Sequence, residues 1–85
     1  MNSEPLDTNQ EQISLKTLRE SLDLSQGELA SRLNLSYRTI AEWESGRKIP
    51  RFDNAVALAG ELGISLKVLA EVMGLDISKL PDDEA

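Results

Sequence analysis

The sequence has no cysteine and no histidine among its 85 residues. Without thiols, neither a disulfide framework nor a thiolate metal site can stabilise the chain. The lack of imidazole removes the commonest general base and a frequent zinc ligand. No cluster of carboxylates, Lys, Ser or Tyr stands out as a replacement. We therefore expect no enzyme, no catalytic residue, no metal and no cofactor.

Long apolar runs are also missing, and no stretch approaches the roughly 18 apolar residues that a membrane span requires. The N-terminal segment MNSEPLDTNQEQ lacks a basic stretch followed by an apolar one, so we expect no signal peptide. These absences favour a cytoplasmic protein without membrane contact. The length allows one domain with a small core.

Strand signals are scarce, since there is no alternating β-branched run and no Asn-Gly or Asp-Gly turn. Helix signals recur instead, with Ser25, Ser36 and Ser65 as candidate N-caps. The sequence predicts an all-α fold of five short helices at about 14–22, 26–33, 37–45, 52–62 and 66–73. Thr8 and Glu11 leave open an earlier start for the first helix.

Apolar residues at helical spacing predict the buried side of each helix. In the first two helices these are Leu15, Leu18, Leu22, Leu29, Ala30 and Leu33. The later helices contribute Ile40, Trp43, Phe52, Ala55, Val56, Ala59, Leu62, Leu66, Leu69, Ala70 and Met73. Glu28 and Arg32 are expected to form a solvated pair, and Asn34 to provide a left-handed turn. We expect a flexible segment at 1–13, a domain at 14–75 and an acidic tail at 76–85.

Charge is distributed unevenly along this acidic chain, whose net charge is -6 and whose pI is about 4.5. Residues 1–14 carry -3 and residues 52–85 carry -5, whereas residues 25–51 carry +2. A basic middle between acidic ends can still approach DNA, because distant charges are screened beyond about 10 Å at 0.1 M salt. The expected consequence is weaker non-specific binding.

The segment LSYRTIAEWESGRKIPR, residues 35–51, predicts a helix with a polar front and an apolar back. Arg38, Glu42 and Ser45 share the front, because successive residues turn by about 100°. Arginine can pair with guanine, and glutamate can accept from cytosine N4. The following loop supplies Arg47, Lys48 and Arg51, which are suited to phosphates. The plainer alternative is a solvated helix face and a loop that aids solubility.

The longer segment LSQGELASRLNLSYRTIAEWESGRKIP resembles the helix-turn-helix of the Cro and lambda-repressor-like family, also called the xenobiotic-response-element family. Downstream, ALAGELGIS at 57–65 resembles the fourth helix of that family and the turn into the fifth. The similarity covers roughly residues 15–73. It implies a compact five-helix, lambda-repressor-like DNA-binding domain whose third helix enters the major groove.

The resemblance also implies roles for individual residues. Tyr37, Arg38 and Glu42 would read bases. The DNA backbone would be contacted by Gln26, Ser36, Thr39, Ser45, Gly46, Arg47, Lys48 and Arg51. Gln26 would also brace the first base-reading residue, and Arg19 would form a structural ion pair with Glu44.

A second apolar stripe on the fifth helix does not fit a plain monomer. It comprises Val68, Val72 and Leu75, and Ile77 and Leu80 extend it. Either the tail of the chain covers this stripe or a second copy does, and we favour a homodimer. The leading hypothesis is a transcriptional regulator, specifically a repressor that binds a palindromic operator in double-stranded DNA. The alternative is a protein-interaction module or antitoxin that binds a protein partner through the fifth helix and the tail.

Overall fold

A computed structural model describes residues 13–75, which fold into five α-helices without a strand in that range. The helices are α1 (Leu15–Ser21), α2 (Gln26–Arg32), α3 (Tyr37–Ser45), α4 (Phe52–Leu62) and α5 (Leu66–Met73). The all-α, five-helix prediction is confirmed. The predictions for the N-terminal segment and the tail, including Thr8, Glu11, Ile77 and Leu80, fall outside the described residues.

Serine side chains begin four of these five helices. Each accepts a hydrogen bond from the backbone N–H three residues further on, and the four caps are Ser14, Ser25, Ser36 and Ser65. At Ser25 the bond is reciprocated, because the Glu28 carboxylate accepts from the Ser25 N–H at 2.7 Å. That backbone hydrogen bond lowers the pKa of Glu28. Local side-chain chemistry therefore sets where the helices start.

A tight turn joins α2 to α3. Asn34 adopts φ +63°, as predicted, and the Leu35 N–H donates to the Ala30 carbonyl at 2.8 Å. Asparagine tolerates this left-handed conformation better than most residues. The turn brings α2 and α3 into the most extensive helix–helix contact of the described domain.

The core lies where all five helices meet. Its largest fully buried side chains come one from each of the last four helices: Leu29, Ile40, Leu58 and Leu69. Other buried apolar residues are Leu15, Leu24, Ala30, Trp43, Ala55, Ala59, Leu62 and Ala70. Leu18, Leu33, Leu35, Ile64, Leu66 and Met73 are partly buried against this cluster. Trp43 is thus a core residue at the back of α3.

The predicted buried stripe of α4 is wrong in part. Phe52 is exposed and Val56 retains 46% of its accessible surface, whereas Leu58 is fully buried. The helix turns Ala55, Leu58, Ala59 and Leu62 toward the core, with the spacing i, i+3, i+4, i+7. Both stripes satisfy helical periodicity, and packing against α5 and the rest of the core selects the one that contains Leu58.

Two further predictions about α1 and α2 are corrected. Leu22 is exposed, because α1 ends at Ser21 and the chain leaves the helix there; Leu24 is buried instead. Arg32 Nη1 lies 3.6 Å from Glu61 Oε1 of α4, whereas the Glu28 carboxylate is held by its own N-cap. Within residues 13–75, no helix is long and apolar enough to cross a membrane.

Two glycines, Gly60 within α4 and Gly63 directly after it, offer a matched test of the helix end. An added Cβ at Gly60 would meet no atom within 4 Å, so we expect Gly60→Ala to raise the free energy of unfolding by about 0.5–1 kcal/mol. Gly63 has equally open surroundings but φ +71°, so Gly63→Ala should lower it by about 1 kcal/mol. Urea denaturation of both variants measures the difference. Equal effects would contradict the assigned end of α4.

Candidate nucleic-acid interface

A buried ion pair holds the back of α3 against α1. Arg19 Nε donates to Glu44 Oε2 at 2.6 Å, and Nη2 donates to Glu44 Oε1 at 3.2 Å. The remaining nitrogen, Nη1, donates to the Leu24 carbonyl at 2.8 Å. The two side chains are only 8% and 7% exposed. The structure therefore places in direct contact the two residues that the family resemblance suggests as partners.

Gln26, the first residue of α2, joins this ion pair. Its Nε2 donates to Glu44 Oε1 at 3.0 Å, which is the only side-chain hydrogen bond that Gln26 makes within residues 13–75. The resemblance implied instead a brace to the first base-reading residue, and Gln26 here braces the back of α3. Its contact with phosphate stays a prediction. Side chains of α1 and α2 thus converge on one carboxylate of α3.

The front of α3 faces away from the core. Tyr37 is 62% exposed and Arg38 is exposed, whereas Ile40 and Trp43 on the back are buried. Arg38 makes no ion pair with any residue of the described range. This arrangement fits the predicted polar front and apolar back. An exposed aromatic ring, a guanidinium and the Glu42 carboxylate are therefore available to a ligand on a rigidly held helix.

The hydroxyls predicted to contact the DNA backbone also stabilise the ends of α3. Ser36 Oγ accepts from the Thr39 N–H at 3.4 Å, and the two hydroxyls lie 3.3 Å apart. At the other end, Ser45 Oγ donates to the Glu42 carbonyl at 3.1 Å. Ser36 and Ser45 are exposed and Thr39 is half-buried. Each of these hydroxyls can therefore contact a phosphate only through the proton or lone pair that its hydrogen bond within α3 leaves unused.

The loop after α3 folds back over the end of the helix. Gly46 has φ +79°, and the backbone N–H groups of Arg47 and Lys48 both donate to the Glu42 carbonyl, at 3.0 and 3.3 Å. Lys48 Nζ then lies 3.7 Å from Glu42 Oε1. Glu42 is thus paired with a residue of the loop and not with Arg38, one helical turn before it. The actual partner depends on the left-handed turn at Gly46, which helical spacing does not describe.

Charge is segregated between the interior and the surface of this region. Residues 13–75 contain eight cations and eight carboxylates, so the whole net charge of -6 comes from residues 1–12 and 76–85. Between residues 37 and 51 there are four cations, Arg38, Arg47, Lys48 and Arg51, against Glu42 and Glu44. Because Arg19 neutralises Glu44 internally, the surface of α3 and its loop is more basic than the sequence count suggests.

The candidate dimer residues lie on and after α5. Val68 is exposed, and Val72 and Leu75 are half-buried. Three further apolar residues, Ile49, Phe52 and Val56, are exposed, and the sequence analysis did not predict their exposure. The described residues contain no group of His, Cys, Asp or Glu that could hold a metal ion.

Comparisons with known proteins agree with this architecture. A family model described as helix-turn-helix matches residues 15–69, which span all of α1 to α4 and the first half of α5. The chain is also 40% identical over 63 residues to endothelial differentiation-related factor 1 of Homo sapiens, and equally to the proteins of that name from Rattus norvegicus and Mus musculus. The match covers 74% of this chain but only 41% of each relative. No solved structure matches significantly.

The buried ion pair offers the sharpest stability test. We expect Glu44→Ala to destabilise the domain by about 3 kcal/mol or more, because the Arg19 guanidinium would be left buried without its partner. Removing both charges in Arg19→Met/Glu44→Leu should restore most of that loss. Urea denaturation followed by far-UV circular dichroism measures both. If the double variant were as unstable as Glu44→Ala, the ion pair would add net stability to the domain, and would not merely offset the cost of burying each charge.

Proposed function

The chain belongs to the helix-turn-helix family of the Cro and C1 type, a family of DNA-binding regulators, and from this premise we propose that it reads a palindromic operator through α3. It acts as a repressor by occupying that operator. The observation that carries the proposal is the rigid attachment of α3 through its back, which leaves Tyr37, Arg38 and Glu42 on a solvent-facing front. Base readout requires side chains held in this way.

In this proposal the residues divide by the part of DNA that they contact. Arg38 donates to guanine O6 and N7, Glu42 accepts from cytosine N4, and Tyr37 packs on a base edge from the first turn of α3. The backbone contacts come from residues around both ends of α3 and from the start of α2: Gln26, Ser36, Thr39, Ser45, Gly46, Arg47, Lys48 and Arg51. Phosphate contacts position the helix, and base contacts specify the sequence.

A homodimer completes the proposal. A palindromic operator presents two half-sites about 34–36 Å apart, and a two-fold dimer places one α3 in each. The support for a dimer is the exposed apolar surface of α5 around Val68, next to the half-buried Val72 and Leu75. In this proposal the two copies meet through α5, and the front of α3 stays free for DNA.

A second candidate function rests on the same exposed apolar side chains. Ile49, Phe52 and Val56 are exposed as well as Val68, and the proposed two-fold contact through α5 does not use them. A protein-interaction module, or an antitoxin that also binds DNA, would use one of these surfaces for a protein partner. In that case DNA binding would be dispensable or secondary, and substitution of Arg38 would leave the main activity intact.

Selection of random duplex DNA by the purified protein tests base reading by α3. At about 0.1 M salt, where the Debye length is about 10 Å, we expect enrichment of a palindromic site. Arg38→Ala should lose the preference for one base pair in each half-site, weakening binding by about 1–3 kcal/mol. The control is Arg32→Ala, which removes an exposed arginine on α2 that pairs with Glu61. Enrichment of no site by folded protein would refute the proposal.

Sedimentation of the purified protein tests the dimer. We expect a dimer at micromolar concentration and a monomer for Val68→Asp, because a charge within an apolar contact is costly to bury. Lys67→Asp, at a neighbouring exposed position, is the matched control and should remain dimeric. Because Val68 is exposed, its substitution should leave the fold intact, which circular dichroism checks. A wild-type monomer would contradict the assignment.

A further inference from the structure

We propose that Lys48 is a specificity-positioning residue: it holds the Glu42 carboxylate in place for base reading, while the adjacent Arg47 serves affinity alone. This inference rests on the proposed function, since it assigns separate tasks to two cations that the family resemblance treats alike. The observation behind it is the contact between Lys48 Nζ and Glu42 Oε1 at 3.7 Å.

Backbone hydrogen bonds of the loop bring Lys48 next to Glu42. The left-handed turn at Gly46 directs the Arg47 and Lys48 N–H groups onto the Glu42 carbonyl, at 3.0 and 3.3 Å. Lys48 is therefore tied to Glu42 through its main chain and also through its ammonium group. The backbone bond brings the main chain of Lys48 next to Glu42, so that only the lysine side chain has to span the remaining distance to the carboxylate.

The need for such a partner follows from electrostatics. A carboxylate that enters the major groove approaches rows of phosphates, and like charges repel more strongly as water is excluded. A lone Glu42 would be turned away from the groove floor. With Lys48 beside it, the pair is neutral, and the carboxylate can keep an oxygen directed at a cytosine amino group. The pair is weak while solvated, and exclusion of water in the complex strengthens it.

Exposure separates the two cations of the loop. The Lys48 side chain is 65% exposed and the Glu42 side chain is 26% exposed, so the ammonium group lies at the rim of a partly enclosed carboxylate. Arg47 is exposed and makes no ion pair within residues 13–75. Its charge is therefore available to phosphate, whereas the Lys48 ammonium group already has the Glu42 carboxylate beside it.

The experiment compares Lys48→Gln with the matched control Arg47→Gln. Each variant is titrated with the selected operator and with an operator changed only at the base pair whose preference Glu42→Gln abolishes. For Lys48→Gln we expect the ratio of the two affinities to fall at least fivefold, because the selected operator loses base reading by Glu42 in addition to the phosphate contact that both operators lose. Arg47→Gln should weaken both operators equally and reduce the salt slope by about 0.9.

Two further variants exclude a merely structural role. Lys48→Arg keeps the charge and should restore most of the discrimination. In the double variant Lys48→Gln/Glu42→Gln, discrimination should be no lower than in Glu42→Gln alone, because the lysine acts through the carboxylate. Full additivity, or a uniform loss of affinity in Lys48→Gln that resembles Arg47→Gln, would overturn the inference. A wild-type protein that selects no operator would refute the proposed function itself, and the inference with it.

Discussion

The ion pair between Arg19 and Glu44 is the constraint on which the arrangement of α3 depends. One carboxylate accepts from α1 through Arg19 and from α2 through Gln26, and Arg19 also bonds to the Leu24 carbonyl in the loop between these helices. A buried ion pair adds little net stability, because desolvation offsets its attraction. Its effect here is to fix the orientation of α3 about its own axis. Any rotation of α3 that removed Glu44 from Arg19 would strand two buried charges, so one orientation of the helix is selected.

That orientation determines what the surface presents. With Glu44, Ile40 and Trp43 turned inward, the opposite side of α3 carries Arg38 and Glu42. The same pairing removes a negative charge from the surface next to Arg47 and Lys48. The buried pair and the basic exterior are therefore two consequences of one contact.

Most of the fold was predictable from the sequence because its determinants are local. A serine N-cap acts within three residues, and the left-handed turns at Asn34 and Gly46 depend on the residue itself. The choice between Val56 and Leu58 as the buried residue of α4 was not predictable, since both fit helical periodicity and only tertiary packing decides. The prediction that Leu22 is buried was wrong for a related reason. Whether Leu22 lies within α1 depends on a single residue at the helix end.

The candidate site likewise has features that the sequence predicts and features that it does not. The polar front of α3 follows from about 100° per residue, whereas the pairing of Glu42 with Lys48 requires the path of the chain beyond Gly46. The partnership of Arg19 with Glu44, across 25 positions in the chain, came from family resemblance and not from spacing. Contacts that cross a turn or join distant helices carry no periodic signal.

The acidity of the whole chain also acquires a physical meaning from the structure. The described domain is neutral, and the negative charge is carried equally by residues 1–12 and 76–85. Non-specific DNA binding depends on the total field near the phosphates, whereas base discrimination depends on a few fixed contacts. Acidic ends therefore weaken attraction to every sequence, and in the proposed function they leave the difference between sequences to α3. Since a regulator competes against a great excess of non-specific DNA, the ratio of the two affinities governs occupancy of its site. A lower background at constant discrimination keeps more of the protein free to find that site.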